Sequence, residues 1–196
     1  VHKRWANVAI AMKAYLQIDG QCCRIARPYN LFGLVTIGIA AIHPPTGVVV
    51  LASFVDYIAK TSKVCREFGL PFIMTEWSAS YSSRDPVHDS YYSAPFILET
   101  IKRCEGLLEM MSYWVYTDVF EEVAPPTQLF HGGFGLFTVR SVKKPAYHAY
   151  RFICTLHDKE LNSNDSHSYV CLGDGELQIL AWNHETPAVE TTNTEF

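Results

Sequence analysis

The stretch from Leu70 to Trp77 constrains the fold most, because it is a run of large apolar residues that ends in one carboxylate, Glu76. Its length fits a strand, and its continuous apolar character fits a parallel strand covered on both faces. A charge at the end of such a strand costs free energy unless it is paired with an opposite charge, hydrogen-bonded or required for function. Glu76 is therefore a candidate functional residue, and the alternative is a solvated carboxylate at a strand end.

A second strand is predicted from Met111 to Phe120, after a polar loop and a helix over 88–106, and it is followed by Glu121 and Glu122. Strand, loop, helix and strand in this order form a βαβ unit, so we expect the two strands to be parallel neighbours. Both strands would then end in carboxylate side chains at the same edge of the sheet. Because adjacent residues on a strand point to opposite faces, at most one of Glu121 and Glu122 faces inward while the strand stays regular.

The remaining elements follow from hydrophobic spacing and turn residues. Gly69 is predicted to cap the helix before the first strand. His43 falls between two apolar runs and is read as a loop residue. The predicted helices cover 5–18, 50–68 and 144–156, short strands cover 22–26 and 34–42, a β-hairpin covers 168–172 and 176–182 with its turn at 173–175, and 186–196 is a tail without regular structure.

Composition excludes several classes of function. The hydrophobic content of 48% and the charged content of 18% are typical of a globular protein. A net charge of −4 without a basic tract argues against nucleic acid as a partner. His43-Pro44-Pro45 interrupts the apolar runs before a membrane-spanning length is reached, so no membrane is expected. Six cysteines show no zinc-ligand spacing, and Cys65 and Cys104 are predicted to be buried thiols in helices. The sequence starts at Val1 without a signal-peptide pattern, as though cut from something longer.

Several motifs together resemble glycoside hydrolase family 39, of the β-xylosidase type. They are Thr75-Glu76-Trp77, Ser112-Tyr113-Trp114, Asp118-Val119-Phe120-Glu121-Glu122, His131-Gly132-Gly133-Phe134-Gly135-Leu136 and Lys144-Pro145-Ala146-Tyr147-His148-Ala149-Tyr150-Arg151-Phe152. The match covers about residues 70–157. It implies an α/β fold, the C-terminal half of a (β/α)8 TIM barrel followed by the start of a β-sandwich. Residues 1–158 would supply about strands five to eight, and 159–196 a linker with the first sandwich strands.

The resemblance also implies roles for individual residues. Glu76 matches the catalytic nucleophile. From their position at the end of the last strand, one or both of Glu121 and Glu122 are expected to accept hydrogen bonds from sugar hydroxyls, and the alternative for the pair is a solvated acidic rim. Trp114 could form a platform under a pyranose ring or be a core residue. Arg84 and His88 fit helix-start or surface positions better than ligand contacts.

The second catalytic carboxylate has no counterpart in this sequence. In the family it lies in an Asn-Glu pair at the end of strand four, and no Asn-Glu dipeptide occurs among the 196 residues. The chain is thus expected to hold the nucleophile half of the site and to be inactive alone, because a retaining glycosidase needs both groups.

The leading hypothesis is a retaining glycoside hydrolase acting on a β-linked saccharide, with no cofactor and no metal. One alternative is a non-catalytic carbohydrate-binding or structural remnant, which the missing acid/base favours. Another is a different retaining barrel hydrolase, such as a β-glucosidase or an iduronidase-like enzyme. The sequence leaves open the cellular location and whether the intact parent is a homo-oligomer.

Overall fold

The computed structural model describes residues 51–120 and 122–184, and the predictions for 1–50, Glu121 and 185–196 lie outside them. The helices are α1 (Leu51–Glu67), α2 (Ser93–Cys104) and α3 (Pro145–Cys154), with a short 3-10 helix at Pro86–Asp89. The strands are β1 (Ile73–Trp77), β2 (Met110–Tyr113), β3 (Lys159–Glu160), β4 (Ser168–Gly173) and β5 (Glu176–Ala181).

Helix α1 ends where the sequence predicts. Gly69 has a φ of 63°, which a residue without a Cβ adopts at little cost. Its N–H donates to Arg66 O at 3.0 Å, and the N–H of Leu70 donates to Cys65 O at 2.8 Å. These two bonds are the Schellman arrangement, which satisfies carbonyls that the end of a helix leaves without partners and turns the chain into β1.

Strands β1 and β2 are parallel neighbours, as predicted, and they are joined through α2. Both are shorter than predicted: β1 begins at Ile73 rather than Leu70, and β2 ends at Tyr113 rather than Phe120. The helix predicted over 88–106 also differs, because Asp85 caps a separate 3-10 turn through the N–H of Val87 at 3.0 Å. Ser90 is then extended, and this interrupts the helix before Ser93.

The main core lies between the parallel strands and the helices. The indole of Trp77 stacks on Phe54 of α1 with ring centroids 6.2 Å apart and lies 6.2 Å from Phe96 of α2. Tyr113 of β2 meets Trp77 edge-on at 5.5 Å and Tyr150 of α3 at 5.7 Å. These contacts define the helix face of the strands. The opposite face is called the inner face below.

The chain continues into an antiparallel sheet in the order β3, β4, β5. The hairpin of β4 and β5 is confirmed, and its two-residue turn has positive φ at Asp174 and Gly175, 50° and 77°. Asp-Gly in such a turn matches the right-handed twist of the strands. Strand β3 was not predicted, because a two-residue strand of charged residues has no hydrophobic pattern and depends on pairing with β4.

Helix α2 holds this sheet through charged side chains. Glu99 is 1% exposed and accepts a hydrogen bond from Trp182 Nε1 at 3.2 Å, and its other oxygen lies 2.5 Å from Arg103 of the same helix. Lys102 Nζ lies 2.6 Å from Glu160 of β3 and 4.4 Å from the ring centre of Tyr169. The sheet is therefore attached to the helix layer by ion pairs as well as by apolar contact.

Cys65 of α1 and Cys104 of α2 are free and buried, as predicted. Burial raises the pKa of the Cys104 thiol to about 12. Both side chains thus serve as small apolar residues of the helix layer. The helices in the described ranges are too short or too polar to cross a membrane.

We expect Glu99→Ala to lower the free energy of unfolding by about 1–3 kcal/mol, because it leaves the buried Trp182 N–H and the Arg103 guanidinium without their partner. Urea denaturation followed by circular dichroism measures this. Glu67→Ala is the control: Glu67 is exposed at the end of α1 and should change stability by less than about 0.5 kcal/mol. Equal effects of the two substitutions would contradict the role assigned to Glu99.

Candidate active site

Glu76 lies near the carboxyl end of β1, one residue before Trp77. Trp77 packs against α1 and α2, and Met74, three residues earlier, lies in the same core. The pairing with β2 is irregular between Met74 and Trp77, so Glu76 falls within a local break of the strand's regular alternation. Glu76 itself is half-buried.

Trp114 follows β2 directly and continues the pairing with β1, because its N–H donates to Trp77 O at 2.9 Å. Tyr113 faces the helices, so Trp114 falls on the inner face. Trp114 is only 6% exposed and is packed in a small cluster with Val115 and Phe134 that is separate from the main core. The ring of Phe120 stands nearly perpendicular to it, 5.2 Å away. Trp114 is therefore a buried residue, and its role as a platform under a pyranose ring stays a prediction.

Beyond Trp114 the backbone exchanges partners, and this ends β2 earlier than predicted. The N–H of Val115 donates to Phe134 O at 3.1 Å, and that of Leu136 donates back to Val115 O at 3.1 Å. The N–H of Asp118 donates to Phe137 O at 2.8 Å. The chain after β2 is therefore paired with the segment around residues 131–136, called the glycine loop below.

Three glycines allow this close pairing. Gly132 has a φ of 76°, and a Cβ on it would lie 2.6 Å from the carbonyl oxygens of Arg84 and Asp85. A Cβ on Gly133 or Gly135 would overlap Asp118. The glycine loop therefore fills the space between the segments that follow β1 and β2.

A buried ion cluster fixes the glycine loop. Lys144 Nζ lies 2.6 Å from Asp89 Oδ1 and 3.0 Å from Asp118 Oδ2, and it donates to Gly133 O at 2.7 Å. Lys144 and Asp118 have no exposed side-chain surface. The carboxylates also accept from the loop backbone: Asp118 Oδ1 from the Gly135 N–H at 2.7 Å, and Asp89 Oδ2 from the Gly132 N–H at 2.5 Å.

His88 is buried, which corrects the expectation of a helix-start or surface residue. Its Nδ1 lies 2.7 Å from Gly132 O and its Nε2 lies 3.0 Å from Ser80 O, so it bridges the glycine loop and the segment after β1. The ring is 4.5 Å from that of Phe134. Burial lowers the pKa of His88 from its ordinary 6.5, although the two carbonyl oxygens oppose this.

The acidic and basic residues at the outer rim are more exposed. Glu122 is exposed, and its Oε2 accepts a hydrogen bond from Ser83 Oγ at 3.1 Å. Arg84 donates to the carbonyl oxygen of Ala124. The loops after β1 and β2 are thus joined at the rim.

Sequence reasoning singled out Glu76 and Trp114, whose roles stay predictions, and it missed Lys144, Asp89 and Asp118 as a cluster. A polar residue within an apolar, aromatic run, as at Asp118, was a signal for a buried partner. Lys144 gave no signal, because a lysine before a proline-led helix is ordinary at the protein surface. In residues 51–120 and 122–184, no group of three or more His, Cys, Asp or Glu side chains is arranged to hold a metal ion.

Comparison with known proteins identifies relatives. The family described as Glycosyl hydrolases family 39 matches residues 49–194. The chain is 38% identical over 114 residues to a β-xylosidase of Geobacillus stearothermophilus, covering 58% of this chain and 23% of the relative. It is 36% identical over 135 residues to a β-xylosidase of Caldicellulosiruptor saccharolyticus, covering 64% of this chain and 28% of the relative.

Solved structures agree with this. A monomeric β-xylosidase from Caulobacter crescentus CB15 superposes with a TM-score of 0.67 at 37% identity, covering 72% of this chain and 29% of that one. An enzyme of the same family from Xanthomonas axonopodis pv. citri superposes with a TM-score of 0.66 at 39% identity, covering 74% of this chain and 29% of that one. The chain spans less than a third of the length of each of these four proteins.

We expect Gly132→Ala to destabilise the protein more than Gly69→Ala does. Both glycines have positive φ, which costs a residue with a Cβ about 1–2 kcal/mol. A Cβ on Gly69 meets nothing within 4 Å, whereas one on Gly132 meets backbone and adds an overlap cost of about 1–3 kcal/mol. Thermal and urea unfolding of both variants measure the difference. Equal losses would contradict the close packing of the glycine loop.

His88 should make stability depend on pH. Because its pKa is lower in the folded protein, acidification protonates the unfolded chain first, and stability falls as the pH drops below the ordinary value. His88→Gln keeps an N–H donor but does not titrate. Its free energy of unfolding should therefore decline less than that of the native protein between about pH 7 and about pH 5. Parallel slopes in urea titrations at several pH values would refute this.

Proposed function

The chain belongs to glycosyl hydrolase family 39, and on that basis we propose that it supplies the nucleophile side of the active site of a retaining, β-xylosidase-like glycoside hydrolase. One observation supports the proposal: Glu76 lies near the carboxyl end of β1, and Trp114 follows the neighbouring parallel strand at the same end. The carboxyl ends of the strands are where TIM-barrel enzymes hold their catalytic groups, and family 39 has a TIM-barrel catalytic domain.

In this mechanism Glu76 acts as the nucleophile. Its carboxylate attacks the anomeric carbon, the bond to the leaving oxygen breaks, and a glycosyl ester forms that water then hydrolyses. The nucleophile must be ionised, and the half-buried position of Glu76 at a strand end leaves it accessible to a sugar. The β-xylosidase relatives support a β-linked saccharide with a xylose-like unit as the proposed substrate.

Trp114, Glu121 and Glu122 are proposed to bind the sugar. The indole of Trp114, held by the rings around it, offers an apolar surface to a pyranose ring. Glu122 is exposed at the rim, where a carboxylate can accept hydrogen bonds from hydroxyl groups. The same role is proposed for Glu121 from the sequence alone.

The proton donor is proposed to come from outside these 196 residues, since they contain no Asn-Glu pair. Residues 1–158 are accordingly proposed as part of the barrel, and 159–196 as a linker and the start of an accessory β-sandwich. The sheet of β3, β4 and β5, joined to α2 by Glu99 and Lys102, supports this division.

The test is covalent trapping of the full-length protein by an activated 2-deoxy-2-fluoro-β-xyloside with a dinitrophenolate leaving group. This leaving group departs without a proton donor, so trapping reports the nucleophile rather than the acid/base. We expect one fluoroxylosyl group, and peptide mass spectrometry should place it on Glu76.

Two variants complete the experiment. Glu76→Gln should not be labelled, whereas Glu122→Gln should still be labelled, more slowly. Labelling of another carboxylate would overturn the assignment of Glu76. A protein that binds xylo-oligosaccharides in calorimetry but is never labelled would instead favour the carbohydrate-binding alternative.

A further inference from the structure

We propose that Lys144 is a positioning residue for Trp114: through the glycine loop and Phe134 it fixes the plane of the indole at the sugar site. This inference rests on the proposed function for its meaning in catalysis. The structural link itself, from a buried ammonium group to an indole on another segment, is independent of it.

The first step is the burial of Lys144. Its side chain has no exposed surface, and a buried ammonium group is stable only when opposite charge and acceptors surround it. Asp89 and Asp118 supply the charge at 2.6 and 3.0 Å, and Gly133 O supplies an acceptor at 2.7 Å. Two carboxylates around one ammonium group form a cluster that does not tolerate the loss of its cation.

The second step is the attachment of the glycine loop to this cluster. The N–H groups of Gly132 and Gly135 donate to the same two carboxylates, and the carbonyl of Gly133 accepts from the ammonium group. The loop backbone is thus held on both sides of Phe134. Without Lys144, the carboxylates of Asp89 and Asp118 would repel each other. The glycine loop, which is hydrogen-bonded to both carboxylates, would then lose the positive charge that holds them close together.

The third step is the contact from the loop to the indole. Phe134 is buried with Trp114 and Val115 in a cluster apart from the main core. Its carbonyl oxygen accepts from the Val115 N–H, and the Leu136 N–H donates back to Val115 O, so the loop backbone is paired with the residue next to Trp114. The Phe134 ring also lies 4.5 Å from that of His88. Because these groups are packed in one small cluster, a shift of the loop becomes a shift of the indole.

A double-mutant cycle tests the proposal in the full-length protein. Lys144→Met should lower kcat/KM for an aryl β-xyloside by about ten- to a hundredfold, because small misplacements of positioning groups have effects of this size. In a Trp114→Phe background the same substitution should change kcat/KM by no more than about twofold, because the residue through which Lys144 acts is gone. Equal losses in both backgrounds would overturn the proposal.

A second variant covers the case in which Lys144→Met does not fold. Phe134→Leu keeps the side chain apolar but removes the ring that contacts His88. Because Phe134 shares its buried cluster with Trp114, this variant should show the same dependence on Trp114, and a loss of equal size in both backgrounds would again refute the link.

The matched control is Lys102→Met, which breaks an ion pair of 2.6 Å between largely buried side chains in the attachment of the sheet to α2. It should lower stability and leave kcat/KM within about twofold of the native value. A loss of kcat/KM as large as that of Lys144→Met would show a general loss of stability and would count against the proposal.

Near-ultraviolet circular dichroism gives a readout that does not depend on activity. The native spectrum minus that of Trp114→Phe defines the band of the ordered indole. Lys144→Met should lose most of this band, and Lys102→Met should keep it. If the native protein hydrolyses no glycoside, the proposed function fails, and the inference is still decided by whether Lys144→Met loses the band.

Discussion

The burial of the Lys144 ammonium group is the constraint on which the rim of this structure depends. A buried cation must be matched by opposite charge, and here Asp89 and Asp118 come from the segments after β1 and β2. Lys144 itself is the N-cap of α3. One charge requirement therefore fixes three segments that are distant in sequence, and it does so at the end of the parallel strands where Glu76 lies.

The same requirement explains the composition of the glycine loop. The two carboxylates accept more hydrogen bonds than one ammonium group can donate, and the N–H groups of Gly132 and Gly135 supply the rest. Backbone can come that close only without a Cβ, since a side chain on Gly133 or Gly135 would occupy the space of Asp118. The glycines of this loop thus allow its backbone to lie against two carboxylates.

Features that depend on neighbours in sequence were predictable, and features that depend on distant partners were not. The Gly69 cap, the Asp174-Gly175 turn and the parallel pairing of β1 and β2 follow from local patterns, and the structure has them. The end of β2 was predicted too far along, because the backbone after Trp114 pairs with the glycine loop, whose position depends on Lys144. His88 was placed at the surface for the same reason: both of its carbonyl partners are set by tertiary structure.

The two tryptophans at the strand ends belong to different parts of the fold, one to the main core and one to the cluster near the proposed site. Trp77 and Trp114 are joined by a backbone hydrogen bond of 2.9 Å, yet Trp77 packs among helix side chains, and Trp114 belongs to a cluster outside the main core. The alternation of the strands sends one indole to each face. A substitution at Trp77 therefore acts on the helix layer, whereas one at Trp114 acts on the inner face. The inner-face cluster is attached to the ion cluster through the backbone of the glycine loop, since Phe134 lies between Gly132 and Gly135, whose N–H groups donate to Asp89 and Asp118.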